Sequence, residues 1–147
     1  MSEIRLVLPP HHHHCDNLFS AAEEAAQKGD WPSCETHQRQ FAGQLEAHLT
    51  AEEEVLFPAF ENATGMRQGP TQVMRMEHGQ MRALVGQMEA ALAARDGEGY
   101  AGAAETLLIL MQQHNMKEEN ILYPMCDQSL AGQVEAIAAE LARRLAH

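Results

Sequence analysis

Two stretches of this 147-residue chain carry the same chemistry-bearing pattern. The first runs from His48 through Glu52, Glu53, Val55, Leu56 and Phe57 to Pro58; the second from His114 through Glu118, Glu119, Ile121, Leu122 and Tyr123 to Pro124. Both read His-x3-Glu-Glu-x-[Val/Ile]-Leu-[Phe/Tyr]-Pro and lie 66 residues apart. One His-x3-Glu carries little information in a Glu-rich chain, whereas the longer duplicated pattern is specific. A spacing of four puts an imidazole and a carboxylate on one helical face, with Cβ atoms roughly 5–6 Å apart. Around the first pair that face carries Phe41, Leu45, Val55 and Leu56; around the second, Leu107, Met111, Ile121 and Leu122. Each pair therefore interrupts an inward-pointing apolar stripe. A buried carboxylate needs a proton, a cation or a metal, and no Lys or Arg lies on these stripes near the pairs. Metal is the compensation that remains.

The rest of the chain must position these pairs. Gly29, Pro32, Gly65, Gly69-Pro70, Gly97 and Gly99 punctuate it, and the apolar periodicity between them is helical. Helices are expected at about 11–28, 32–62, 70–95 and 100–127. A shorter fifth helix is expected after an N-capping Ser129, with Leu130, Val134, Ile137, Leu141 and Leu145 along its stripe. Four long helices with short connections pack most economically as an up-down-up-down antiparallel four-helix bundle, with the C-terminal helix covering one end or flank. The expected organisation is all-α and a single domain over 1–147: bundle about 11–127, added helix about 129–146.

In such a bundle the second and fourth helices are diagonal, so Glu52 and Glu118 meet across the axis and can bridge two metals capped by histidine. His78 sits mid-stripe on the third helix with Met74, Met81, Val85, Met88 and Leu92. It precedes His114 by 36 residues; counting back 36 from His48 reaches His12, on a face with Cys15, Phe19, Ala22 and Ala26. The two helical hairpins look like two copies of one ligand-bearing unit. Within the His11–His14 run, His12 leads, with His11 and His14 as alternatives. His37 lies three turns before His48, too far for the same centre. Glu53, Glu54 and Glu119 read as surface charges with a supporting role open to one of them, and Glu77 beside His78 is ambiguous. The Met-rich third helix reads as adaptable core rather than a copper site, and Cys15 as a small buried hydrophobe.

The order His, His-x3-Glu, His, His-x3-Glu resembles the hemerythrin-like, or HHE cation-binding, family, over the first four helices. The resemblance implies a non-haem centre of two iron ions, oxo- or hydroxo-bridged, inside a four-helix bundle. Glu52 and Glu118 are the implied bridges; His48, His78, His114 and a first-helix histidine are the implied terminal ligands. Oxygen-carrying members have two third-helix histidines four apart, but Met74 occupies the first position here. Their first-helix His-x2-Leu-Phe places Cys15 where histidine is expected. A single third-helix histidine is similar to the iron-centre repair proteins, although their cysteine-bearing N-terminal domain has no counterpart here.

Mixed imidazole and carboxylate ligands suit iron, with manganese or zinc also compatible. The spacing is neither the His-Glu-x-x-His of zinc proteases nor the Glu-x-x-His of ferritin-like oxidases. The leading reading is a di-iron protein that binds or senses a small diatomic, oxygen or nitric oxide. The alternative is a redox enzyme or iron donor: peroxide or nitric oxide detoxification, or iron–sulfur cluster repair. A metal-free helical interaction domain is the third reading. Twenty-one Asp and Glu against 10 Lys and Arg give a net charge of −11, which excludes a basic nucleic-acid surface. No apolar run approaches the roughly 20 residues that span a bilayer. Three scattered cysteines suggest no disulfide framework or zinc ribbon, and a reducing cytoplasm is the expected compartment.

Overall fold

The computed structural model describes residues 3–146, and every regular element among them is helical. Helix α1 spans Ile4–Gln27. Helix α2 runs continuously through Trp31–Ala51, a π-helical turn at Glu52–Leu56, and Phe57–Thr64. Helix α3 is Pro70–Ala93. Helix α4 repeats the construction of α2, with Gly97–Lys117, a π-helical turn at Glu118–Leu122, and Tyr123–Ser129. Helix α5 is Val134–Leu145. In this helical bundle α1 packs along α2 and α3 along α4, while α1 also meets α4 and α2 meets α3. Helix α5 lies against α1 and the second half of α2.

The two hairpin turns are built alike. Asp30 accepts from the Ser33 amide and Asp96 from the Gly99 amide, capping α2 and α4. Asp30 N–H returns to the Ala25 carbonyl, and Asp96 N–H to that of Ala91. The residue before each aspartate is left-handed: Gly29 at φ 71° and Arg95 at φ 56°. The 66-residue interval of the motifs thus extends to the turns.

Three expectations change. Helix α1 begins at Ile4, not His11, and passes through Pro9 and Pro10. Two prolines inside a helix forfeit two backbone donors. Tertiary burial outweighs that cost: Ile4 and Leu8 are fully buried, and the Ile4 amide donates to Asp127 Oδ1 at 2.8 Å. Ser129 does not cap the last helix. It ends α4, a turn containing buried Leu130 follows, and α5 starts at Val134. Ile121, expected inside, is exposed.

The π turns explain Ile121. In each, the amide closing the turn bonds five residues back: Phe57 N–H to Glu52 O, and Tyr123 N–H to Glu118 O. Pro58 and Pro124 follow immediately; a proline lacks the amide and its ring crowds the carbonyl four residues earlier. Widening the helix there relieves the crowding. It also turns the residue at i+5, rather than i+3, onto the face of the glutamate, so Phe57 and Tyr123 point inward and Ile121 outward.

The core falls into two apolar clusters. One contains Phe19, Phe41, Met81, Met88, Tyr100 and Leu107; the other Ile4, Leu8, Phe57, Phe60, Leu141 and Leu145. Between them lies a polar layer: His11, His12, His48, Glu52, His78, His114 and Glu118, all buried. Leu8→Ala should cost about 3 kcal/mol and lower the urea midpoint without changing its slope. A loss below about 0.5 kcal/mol would mean that the stretch before His11 is not part of the cooperative core.

Candidate metal centre

The positions flanked by apolar neighbours in the sequence converge in the polar layer. Glu52, His78, His114 and Glu118 each offer a ligand atom, all within 4.8 Å of one another; His12, His48 and Glu118 form a second such group. His78 Nε2 lies 3.1 Å from Glu52 Oε1, His114 Nε2 3.3 Å from Glu118 Oε2, and His48 Nε2 3.5 Å from Glu52 Oε2. None of these three contacts is aligned as a hydrogen bond. His48 Nε2, His78 Nε2, His114 Nε2, Glu52 Oε1 and Glu118 Oε2 are buried without a hydrogen-bond partner. Buried polar atoms are otherwise almost always satisfied, so these orphans, four in the first ligand group and His48 in the second, mark places where a cation fits. Imidazole nitrogen and carboxylate oxygen are the donors expected for a first-row divalent metal.

Each inner histidine is held from behind. His12 Nδ1 contacts Glu119 Oε2 at 2.6 Å, His78 Nδ1 contacts Glu53 Oε2 at 2.7 Å, and His114 Nδ1 contacts Glu77 Oε1 at 2.7 Å. A histidine whose Nδ1–H is donated outward presents the Nε2 lone pair inward, the arrangement metal-ligating histidines use. Glu53 and Glu77 are not simple surface charges: Arg82 pairs with Glu53 at 2.8 Å and Lys117 with Glu77. Cations absent from the inner layer thus sit one layer out. Glu54, by contrast, pairs with Arg144 on the surface. His48 Nδ1 meets His11 Nδ1 at 2.9 Å. Of the histidine run, His12 reaches the centre, His11 backs His48, and His13 is exposed. His14 is half-buried beside His11, and neither His14 nor Cys15 joins the two ligand groups among the described residues. Cys15 is buried, which pushes its thiol up to about 12. His37 bonds back to the Ser33 carbonyl of its own helix.

Tyr123 is the site residue that a 3.6-residue period hides. Its hydroxyl, carried inward by the π turn, donates within 2.6 Å of Glu52 Oε2 and 2.8 Å of Glu118 Oε1, and lies 3.3 Å from His12 Nε2. Burial and the two carboxylates hold its pKa well above the ordinary phenol value. The repeat contained the signal, an aromatic five residues after each glutamate. Its other member, Phe57, packs beside His78 at 5.5 Å between ring centroids.

Burial penalises Glu52 as an anion, but His48 and His78 outweigh it and keep the carboxyl well below its usual range. His114 is likewise disfavoured as a cation by burial, yet Glu118 raises its pKa to about 9. His12 is raised in the same way, through Glu118 and Glu119. His11 goes the other way, lowered to about 4 by burial.

The family model of the hemerythrin HHE cation-binding domain matches residues 5–126. The chain belongs to the hemerythrin HHE cation-binding family. No curated protein and no solved structure matches it. The hemerythrin match covers both repeats and all four helices that supply the inward-facing histidines and glutamates, and the buried His/Glu cluster is the feature of this member suited to a cation. Among the described residues no helix is long and apolar enough to cross a membrane.

Two predictions follow from the metal-free electrostatics. His114, raised from 6.5 to about 9, stabilises the fold fully below about pH 6.5 and loses that contribution as pH rises through 9. His12, also raised, acts in the same direction. His11, lowered from 6.5 to about 4, instead contributes fully above about pH 6.5 and loses that contribution as pH falls through 4. Glu52, lowered from 4.5, stabilises above that value and loses its contribution in acid. The Tm of chelator-treated protein should therefore peak near pH 6–7 and fall towards pH 9, where metal affinity rises because imidazole must be neutral to bind; a flat or rising Tm over that interval contradicts the assignment. Tyr123→Phe should destabilise the metal-free protein by about 1–3 kcal/mol in urea titrations, because the single phenol proton shared between two buried carboxylate oxygens is lost.

Proposed function

We propose that this chain is a non-haem di-iron protein that binds or senses a small diatomic, oxygen or nitric oxide. In this reading the chain forms one domain, and its four long helices run up-down-up-down around the centre. Glu52 and Glu118 would serve both metals, with His78 and His114 holding one and His12 and His48 the other. The observation that carries the reading is the set of five buried, unpartnered ligand atoms distributed over two adjoining ligand groups that share Glu118. Their charge supports it as well, because two fully buried carboxylates draw a cation into an otherwise apolar bundle. Iron suits four imidazoles and two carboxylates, with manganese and zinc compatible with the same donors.

A pair of irons supplies the change of oxidation state that capture of a diatomic requires. The protein's own contribution is shape and polarity. A closed, largely apolar cavity, large enough for one water-sized molecule, touches His12, His48 and His114 and is otherwise walled mainly by Cys15, Leu45, Leu49, Met81 and Met111. Those walls exclude bulky or charged substrates and leave only a water-sized space beside the metal positions, so an exogenous ligand there must be small. The histidine absent at Met74 leaves one protein ligand fewer there, and hence room for an exogenous one.

Protein purified without a histidine tag and reconstituted anaerobically with ferrous iron should hold about two irons per chain by elemental analysis. Oxygen or nitric oxide should then change its visible spectrum. His48→Ala and His114→Ala should each reduce the iron content. Turnover of peroxide, or iron loss to an apo-cluster acceptor, would point instead to the redox or iron-donating alternative. Unchanged metal content and unchanged Tm in both variants would leave a metal-free helical interaction domain as the better account.

A further inference from the structure

The candidate ligands of the layer recur after 66 residues. His12 corresponds to His78, His48 to His114, Glu52 to Glu118 and Glu53 to Glu119. The supporting contacts obey the same operation: Glu119 backs His12 as Glu53 backs His78. One supporting position breaks the rule. Where the second repeat has Glu77, bonded to His114, the first has His11, bonded to His48.

The chemistry of the two supports differs. His11 Nε2 faces Gln44 Oε1 at 2.9 Å. A neutral imidazole has one N–H; donating it to that amide oxygen leaves His11 Nδ1 as a lone-pair acceptor for the His48 Nδ1–H. His48 is thereby fixed with its Nε2 lone pair inward, like its counterparts. A neutral acceptor cannot polarise that imidazole as Glu77 polarises His114, and carboxylate support makes a histidine the stronger donor. Both histidines of one ligand group, His78 and His114, have carboxylates behind them. In the other group His12 has one, and His48 has a neutral ring. Tyr123 adds to the inequality, because its hydroxyl holds Glu52 Oε2 and Glu118 Oε1 beside His12, while Phe57 on the other side has no hydroxyl to offer.

We propose that the two metal positions are unequal: the His78/His114 position is filled first and retained, the His12/His48 position is filled second and exchanges, and His11 is the positioning residue that sets the difference. This rests on the dinuclear reading of the site. It gives the histidine run a division of labour, with one ring as ligand and its neighbour as the support of a ligand on another helix.

Titration of the intact metal-free protein with cobalt(II), followed by its visible absorption and by metal content after desalting, tests this. Wild type should bind two equivalents in steps at least about 10-fold apart in affinity. His11→Ala should weaken the second step by about 10–100-fold and leave the first unchanged. His11→Gln, whose amide oxygen can accept the same N–H, should recover most of the loss. His11→Glu, which copies the second repeat, should bring the steps together, and Glu77→His should lower the first step. Metal-free Tm values will show whether each variant is folded, and the wild-type step separation alone suffices if His11→Ala is not. Two equal steps in wild type, or a loss in His11→Ala shared by both steps, overturn the proposal while leaving the dinuclear centre standing. Fewer than two equivalents in wild type overturns the dinuclear reading and this proposal with it.

Discussion

Two glutamates without solvent contact set the terms for everything around them. Glu52 and Glu118 cannot be hydrated where they are, and among the described residues their ion-pair partners are histidines, not Lys or Arg. Their charge is met by four imidazoles, by a phenol and, in the proposed function, by metal. Each of those partners must itself be oriented, which calls for the outer ring of Glu53, Glu77, Glu119 and His11. Two members of that ring then need Arg82 and Lys117. The result is a polar layer several shells deep across the bundle, with closed apolar clusters on either side to exclude water. Such a network is costly when partly satisfied and rigid when complete.

The apolar clusters perform a different task from the layer. Phe19, Phe41 and Met88 on one side, and Ile4, Leu8 and Phe60 on the other, fix where the helices lie. The layer decides which rotation each helix must adopt. The π turns are where these demands are reconciled. After the glutamate, the extra residue in the turn lets Phe57 and Tyr123 join the second cluster, while His48 and His114, four residues before the glutamates, keep their inward aim. Local distortion at the two glutamates thus serves both the packing and the polar layer.

Much of this was legible in the residues. His48, Glu52, His78, His114 and Glu118 were identifiable because chemistry-bearing types stood where apolar periodicity demanded core, and the duplication made coincidence untenable. The helices and their approximate boundaries followed from glycine, proline and apolar periodicity, while the capping aspartates Asp30 and Asp96 emerged only with the structure. Three further things were hidden, each for a physical reason. The start of α1 depends on tertiary burial of Ile4 and Leu8, which local propensity cannot see past Pro9-Pro10. Tyr123 lies off the ordinary helical face and comes into view only once the turn is widened. The supports of the histidines are chosen across helices, so that Glu77, which looks like a surface charge beside His78, in fact serves His114 on the next helix. The same is true of His11, whose neighbour in the run is the one that reaches the centre.

Among the carboxylates of the outer ring, Glu119 stands apart. Glu53 and Glu77 are each shielded by a cation of their own, and their side chains are 22% and 12% exposed. Glu119 has a 39% exposed side chain bound to His12. Mobile ions in the medium screen exposed charge and scarcely touch buried charge. Among the described carboxylates of the outer ring, dissolved salt therefore acts on Glu119 and its hold on His12 directly, whereas at Glu53 and Glu77 it acts first on the partly exposed Arg82 and Lys117 that pair with them.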